Sequence, residues 1–133
     1  MTRKVVIKDY RLTKKTDKAE ELVWQKTITF TAGVIASSPR FMFWDAELEG
    51  EKIYVLYTEK DYARLDVMGR DSGKWTTVKS QTFDDSPRSL RIGRFFRDAG
   101  GLGIRYVGVG HREEKWDVRD DVVTPRKKKE RPK

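Results

Sequence analysis

Alternating apolar and polar residues predict that most of this chain forms β-strands. The clearest strand covers residues 52–58, where Ile53-Tyr54-Val55-Leu56-Tyr57 is a continuous apolar run typical of a buried strand. Residues 63–67 alternate, and the turn-like Arg70-Asp71-Ser72-Gly73 then leads into residues 75–78, which together predict a hairpin. Further strands are predicted at residues 4–12, 27–31 and 102–109.

Two other segments carry helical signals. Asp17 and Glu20 have the spacing of a capping box, and apolar residues follow at helical spacing (Ala19, Leu22, Val23). Ser38-Pro39 suits a helix start, and three apolar residues recur at i, i+3 and i+7 before Gly50 (Phe41, Trp44, Leu48). Residues 42–48 also alternate, so a strand remains open for the second segment.

A row of arginines marks a third predicted helix, at residues 87–99. One arginine stands at every third position, without an acid between them (Arg88, Arg91, Arg94, Arg97). On a helix, four apolar residues lie on one side (Ile92, Phe95, Phe96, Ala99), although Leu90 does not, and most of the arginines lie on the other side, where guanidinium groups suit phosphate binding. If the segment is a strand, Arg91 and Arg97 share one face and Arg88 and Arg94 the other, and the row is lost.

These elements predict a single small α+β domain. We expect a mostly antiparallel β-sheet with one to three short helices over residues 1–124, including a basic N-terminal segment at residues 1–18. Residues 125–133 contain two prolines and a run of like charges, so they are expected to form a disordered basic tail.

The net charge of +8 is concentrated at the two chain ends. Residues 1–18 hold seven bases and two acids, and residues 125–133 hold six bases and one acid. The remaining residues therefore carry a net charge of −2. Because each Lys or Arg that neutralises a phosphate releases a condensed counterion, such ends favour binding to a polyanion.

The residue types that the chain lacks exclude some kinds of functional site and indicate the kind of organism that it comes from. The chain has no cysteine and one histidine, so neither a conventional zinc site nor a cysteine nucleophile is expected, and we predict no metal, no cofactor and no enzymatic activity. It has no apolar stretch long enough for a transmembrane segment and no signal peptide is recognisable. A charged fraction of 38%, with no Asn and two Gln, is typical of hyperthermophile proteins.

The charge distribution predicts a protein that binds nucleic acid, with duplex DNA favoured, through its phosphates and without sequence preference. The predicted contacts are the arginine row and basic residues of both ends (Arg88, Arg91, Arg94, Arg97, Lys14, Lys15, Arg126, Lys127, Lys128, Lys129, Arg131, Lys133). A close variant is a genome-packaging nucleoprotein that also forms homo-oligomers, from a hyperthermophilic archaeon or its virus. Its expected location is the cytoplasm, the nucleoid or a virion. The alternative is a structural or protein-interaction module whose basic arms contact acidic partners or a membrane.

Overall fold

A computed structural model of the chain describes residues 4–32, 41–59, 62–84, 92–107 and 113–126, and this part is all-β. Its strands are β1 (Lys4–Lys15), β2 (Glu20–Ala32), β3 (Phe41–Glu49), β4 (Lys52–Glu59), β5 (Tyr62–Asp71), β6 (Lys74–Asp84), β7 (Ile92–Asp98), β8 (Gly101–Val107), β9 (Glu113–Arg119) and β10 (Val122–Pro125). Within these ranges there is no helix, and so none that is long and apolar enough to cross a membrane. The prediction of an α+β fold with helices is therefore wrong, whereas the strands predicted from alternation are confirmed.

The strands form three antiparallel sheets. The central sheet has the order β3-β4-β5-β6, and the outer sheet has the order β10-β9-β8-β7. Strands β1 and β2 form a separate two-stranded hairpin. Each four-stranded sheet thus consists of consecutive strands joined by short turns, except where residues outside the described ranges connect them.

The central sheet is buried on both faces. Tyr54 and Leu56 of β4 pack toward the outer sheet, in a cluster that includes Ile104. Val55 and Tyr57, which alternate with them, pack toward the hairpin and contact the cluster around Trp24. This two-sided burial explains why β4 is a continuous apolar run, because neither face of the strand is left in water.

Side chains join the edges of the two four-stranded sheets. At one edge, the Asp45 carboxylate of β3 accepts a hydrogen bond from the backbone amide of Phe95 in β7, at 2.9 Å. At the other edge, the Gln81 amide of β6 donates to the carbonyl of Asp121 at 2.6 Å and accepts from the amide of Val123 at 3.1 Å. These contacts give edge-strand backbone groups partners across the sandwich.

A β-bulge accounts for the helical signal after Asp17. The chain turns at residues 16–19, where the Thr16 amide donates to the Ala19 carbonyl, and β2 begins at Glu20. Leu12 then pairs with Trp24 but Thr13 with Leu22, so Val23 is an extra residue in β2. Val23 and Trp24 are both buried as a result, and the local spacing of apolar residues resembles that of a helix.

A second bulge accounts for the signal in residues 41–48. Phe43 pairs with Tyr57 and Asp45 with Leu56, which leaves Trp44 as the extra residue of β3. Phe41 packs on the hairpin side of the central sheet and Trp44 on the side of the outer sheet. The predicted helix here is wrong, and the alternative strand is confirmed.

The third predicted helix, over residues 87–99, is also wrong in its described part. Residues 92–98 form strand β7, and residues 87–91 lie outside the described ranges. Phe95 packs into the core, whereas Phe96 lies on the opposite face of the sheet, over Gly103. Gly93 is needed because a Cβ atom there would lie 2.4 Å from the ring of Trp44.

Candidate nucleic-acid interface

Four basic residues, three from neighbouring strands and one that directly follows β10, form one row across the solvent face of the outer sheet. Arg94 of β7 pairs with Arg105 of β8, and Arg105 pairs with Lys115 of β9. The backbone amide of Arg126 donates to the carbonyl of Lys115 at 3.0 Å, which places Arg126 next in line after β10. Paired residues of an antiparallel ladder point to the same face, so we call these four residues the cationic row.

Neighbouring residues establish which face the cationic row occupies. Phe95, Ile104 and Trp116 form the adjacent set of paired positions, and all three belong to the core between the two four-stranded sheets. Since successive side chains in a strand point to opposite faces, the row points away from the core. The side chains of Arg94, Arg105 and Lys115 are accordingly exposed.

Like charges stand directly opposite each other along the cationic row. Adjacent strands are about 4.8 Å apart, and like charges at directly opposed positions destabilise a sheet. Among the residues with described positions, Arg105 has no ion pair, and Lys115 has only a contact of 3.7 Å with Glu113. Arg94 donates to the backbone carbonyl of Trp44, which carries no full charge. Glu113 therefore compensates Lys115 in part, whereas Arg105, in the middle of the row, has no acidic partner among the described residues.

Arg126, at the end of the cationic row, is held differently. Its guanidinium donates to Asp117 at 2.7 and 3.0 Å and to Asp98 at 2.8 Å, and its side chain is 26% exposed. Hydrogen bonds from Arg126, and next that from the amide of Gly100, lower the pKa of Asp98. The bonds to Asp98 and Asp117 raise the pKa of Arg126 in turn. We call this group of three residues the Arg126 anchor.

An aromatic ring fills the space beside the cationic row. Phe96 lies over Gly103, where a Cβ atom would be 2.6 Å from the ring. The Lys115 ammonium is 5.7 Å from the ring centroid and the Arg126 guanidinium carbon is 5.1 Å from it. Both distances allow a cation–π interaction, so Phe96 helps to fix these two side chains on the surface.

The basic segments predicted from the sequence adjoin this surface at one end of the outer sheet. Ile92, Val107 and Glu113 are paired at that end, next to the cationic row. Residues 85–91 precede Ile92, residues 108–112 connect Val107 to Glu113, and residues 127–133 follow Arg126. Most of the predicted contacts therefore lie outside the described residues, but their connections to the sheet are all at this end (Arg88, Arg91, Lys127, Lys128, Lys129, Arg131, Lys133).

The structure separates the other predicted contacts from the cationic row. Arg97 pairs with Glu47 and Glu49 of the central sheet and donates to the carbonyl of Leu48. Lys14 and Lys15 belong to the hairpin, on the opposite side of the central sheet. Of the predicted residues in the described part, only Arg94 and Arg126 are in the row.

Residues Arg105 and Lys115 were not predicted as contacts. Arg105 is the single basic residue of β8, and Lys115 shares β9 with Arg119 and three acidic residues. Their significance depends on the register that places them between Arg94 and Arg126. A local sequence signal for this arrangement does not exist, because the four residues are distributed over positions 94 to 126.

The buried polar cluster between the hairpin and the central sheet is internally satisfied. Asp66 accepts hydrogen bonds from the Trp24 indole at 2.8 Å, from the Tyr57 hydroxyl at 3.0 Å and from the Ser80 hydroxyl at 2.6 Å. Burial is the main reason that the pKa of Tyr57 rises to about 12. The cluster fits a structural role, since each donor is directed at one carboxylate.

The described residues contain no group of three or more His, Cys, Asp or Glu side chains that could hold a metal ion. His111 lies outside them. A search for similar proteins finds no matching family, no matching curated protein and no matching solved structure.

Proposed function

We propose that this protein binds nucleic acid without enzymatic activity and without sequence preference, through contacts between the cationic row and the phosphate backbone. The observation that carries the proposal is the direct juxtaposition of Arg94, Arg105 and Lys115 on the solvent face of the outer sheet. Three like charges at directly opposed positions do not stabilise the fold, whereas a row of phosphates would neutralise all three.

The charge around the row supports the same function. The segments that leave the outer sheet beside the row include five basic residues after Arg126 and three arginines in the other two segments. Arginine suits such contacts because its planar fork can bond a phosphate through two hydrogen bonds and stays charged at every physiological pH. Backbone contacts of this kind carry no sequence information, so the binding should be non-specific.

A genome-packaging role is the form of this proposal that also requires contacts between copies. The composition leads us to propose a hyperthermophilic archaeon, or a virus that infects one, as the source. Self-association that occurs only on DNA, measured by sedimentation with and without a long duplex, distinguishes packaging from simple binding.

The test is the salt dependence of binding for the full chain and two variants. One variant removes three charges from the row (Arg94→Gln, Arg105→Gln, Lys115→Gln), and a control removes three exposed charges from the hairpin turn and strand β6 (Lys18→Gln, Lys74→Gln, Lys79→Gln). The row variant should reduce the slope of log K against log salt on duplex DNA by about 2.7, because each phosphate contact contributes about 0.9.

Three outcomes contradict the proposal. The first is absence of binding to duplex DNA, single-stranded DNA and RNA at low salt. The second is an equal loss of affinity in the row variant and the control. That result would show that the row contributes only through the net charge of the protein and not through its position. The third is binding to anionic lipid vesicles without binding to nucleic acid, which favours a membrane-contacting module instead.

A further inference from the structure

An aromatic side chain lies beside the cationic row on the solvent face of the outer sheet. Phe96 follows Arg94 by two residues in β7, and it pairs with Gly103 of β8, which pairs with Asp117 of β9. These three positions therefore form the next line of paired residues on the same face. Two residues of a strand span about 7 Å, so the backbone positions of Phe96 and Arg94 are that far apart.

Gly103 allows the Phe96 ring to cross to the neighbouring strand. A Cβ atom at Gly103 would lie 2.6 Å from the Cζ atom of the ring and 2.7 Å from Cε1. The far end of the ring thus lies above β8, in space that a larger residue would fill. Phe95 packs into the core on the other face, whereas Phe96 remains partly exposed. A partly exposed ring on a solvent face can contact a planar partner.

The acidic residues beside this ring are held by Arg126. Asp117 accepts hydrogen bonds from the Arg126 guanidinium at 2.7 and 3.0 Å, and Asp98 accepts one at 2.8 Å. These contacts direct both carboxylates at a fixed cation, which offsets part of the negative charge on this face. The Arg126 anchor therefore lets a polyanion approach Phe96 with less repulsion.

The Lys115 ammonium lies near the ring but is weakly held. It is 5.7 Å from the ring centroid, and its contact with Glu113 is 3.7 Å long. The side chain of Lys115 is 46% exposed, and its four-carbon stem is flexible. The ammonium can therefore turn toward a phosphate and leave the ring to a base.

We propose that Phe96 is a stacking platform for an unpaired base, so that this surface binds single-stranded nucleic acid through phosphates at the cationic row and a base at Phe96. The inference rests on the proposed function, because it names the form of nucleic acid that the same surface binds. One nucleotide can span the distance of about 7 Å between the row and Phe96 with its phosphate at one end and its base at the other.

Stacking on a side chain requires a base with a free face. In a duplex, neighbouring base pairs cover both faces of each base, and proteins reach the groove edges and the backbone. In a single strand, a base can turn out and lie against an aromatic ring. Every base has a π-face, so this contact tolerates any sequence, in agreement with binding through phosphates.

The first experiment compares two strands that differ only in their bases. One is a single-stranded DNA of about twelve thymidines, within the range of site sizes of single-strand binders, and the other is an abasic strand with the same number of phosphates. The wild type should bind the thymidine strand about fivefold or more tightly, which is the lower limit for one stacked base. Equal affinities at equal salt overturn this inference and leave the proposed function intact, since both strands offer the same phosphates.

The second experiment replaces the ring. Phe96→Leu keeps an apolar side chain over Gly103 but removes the aromatic face. It should weaken binding to the thymidine strand about fivefold or more, with a loss of less than about twofold on the abasic strand and on a duplex of the same length. The control is Phe43→Leu, because Phe43 is a phenylalanine of β3 that is 39% exposed, and it should leave all three affinities unchanged.

Duplex binding shows whether the ring acts only by positioning the cations. Equal losses on the thymidine strand and the duplex, in a Phe96→Leu variant that urea unfolding shows to be folded, contradict stacking. The first experiment needs no variant, so it decides the question if Phe96→Leu does not fold. Phe96→Tyr keeps the ring and should bind the thymidine strand as the wild type does, and a loss as large as that of Phe96→Leu overturns the inference. Absence of wild-type binding to any nucleic acid overturns this inference and the proposed function together.

Discussion

Asp45 and Phe95 connect two sheets through one hydrogen bond, in which the Asp45 carboxylate accepts from the backbone amide of Phe95 at 2.9 Å. The same carboxylate also accepts from the amide of Ala46 at 2.9 Å, so both of its oxygens are used. Asp45 lies in β3 and Phe95 in β7, the facing edge strands of the sandwich. The contact therefore helps to hold these two edges together, beside the hydrogen bonds that Arg94 and Arg97 make to β3.

Replacing Asp45 with alanine should destabilise the fold by about 1–3 kcal/mol, because the amide of Phe95 then lacks its partner in a partly buried position. Urea unfolding measures the change. Asp45→Asn keeps one acceptor oxygen and should have a smaller effect. The exposed turn residue Glu51 is the control, and its replacement with alanine should change stability by less than about 0.5 kcal/mol. A neutral Asp45→Ala variant would show that the edge contact does not contribute.

A side chain at position 93 should be excluded by Trp44. In Gly93→Ala the new Cβ atom meets the six-membered ring of the indole at 2.4 and 2.7 Å, so we expect a loss of about 1–3 kcal/mol in unfolding free energy. Replacing Trp44 with phenylalanine removes part of that ring. The double variant should thus lose less unfolding free energy than the two single variants lose together. A loss equal to that sum contradicts the packing of Gly93 against Trp44.

Neutralising Arg105 should stabilise the fold while it weakens binding. Arg105→Gln removes the charge between Arg94 and Lys115, and relief of like-charge opposition contributes about 0.2–1 kcal/mol, with a larger effect at low salt than at high salt. Arg97→Gln is the contrasting variant, because Arg97 is paired with Glu47 and Glu49 and its loss should not stabilise. Unfolding in urea at two salt concentrations, combined with DNA titration, tests both parts. Destabilisation by Arg105→Gln at low salt contradicts the prediction.

Alkaline pH should destabilise the fold through Tyr57. Burial, more than any other factor, raises the pKa of its hydroxyl to about 12, against an ordinary value near 10. The folded state therefore favours the neutral hydroxyl, and this contribution is complete below pH 10 and is lost as the pH rises toward 12. We expect wild type to lose about 1–2 kcal/mol more than Tyr57→Phe between pH 9 and pH 11.5. If the unfolding free energies of the two proteins fall equally over this pH range, Tyr57 does not contribute to the alkaline destabilisation.

The sequence predicts strands well where the side-chain alternation is uninterrupted. Residues 52–58 and the hairpin around Ser72-Gly73 agree with β4, β5 and β6, because burial and turn chemistry are local signals there. The helical predictions fail at Val23 and Trp44 for a common reason. One extra residue in a strand changes the spacing of apolar positions from two to three, which locally resembles the periodicity of a helix.

The candidate interface shows a second limit of sequence patterns. Arg94 and Arg126 could be selected because they belong to visibly basic segments, whereas Arg105 is the single basic residue of β8 and Lys115 stands among the acidic residues of β9. Pairing register brings the four together, and register depends on turns and bulges along the whole sheet. The three-residue spacing of Arg94 and Arg97 does not place them on one surface, because Arg97 pairs with Glu47 and Glu49 at the end of β3.

The side-chain amide of Gln81 makes the same two kinds of hydrogen bond that a backbone peptide group makes in a β-sheet. Its NH2 group donates to the carbonyl of Asp121, and its oxygen accepts from the amide of Val123. Together with Asp45 at the opposite edge, it occupies hydrogen-bonding positions that another chain would need for strand addition. At these two points a strand from a second molecule would have to displace hydrogen bonds of 2.6 to 3.1 Å that the fold already makes, so edge-to-edge joining is disfavoured there.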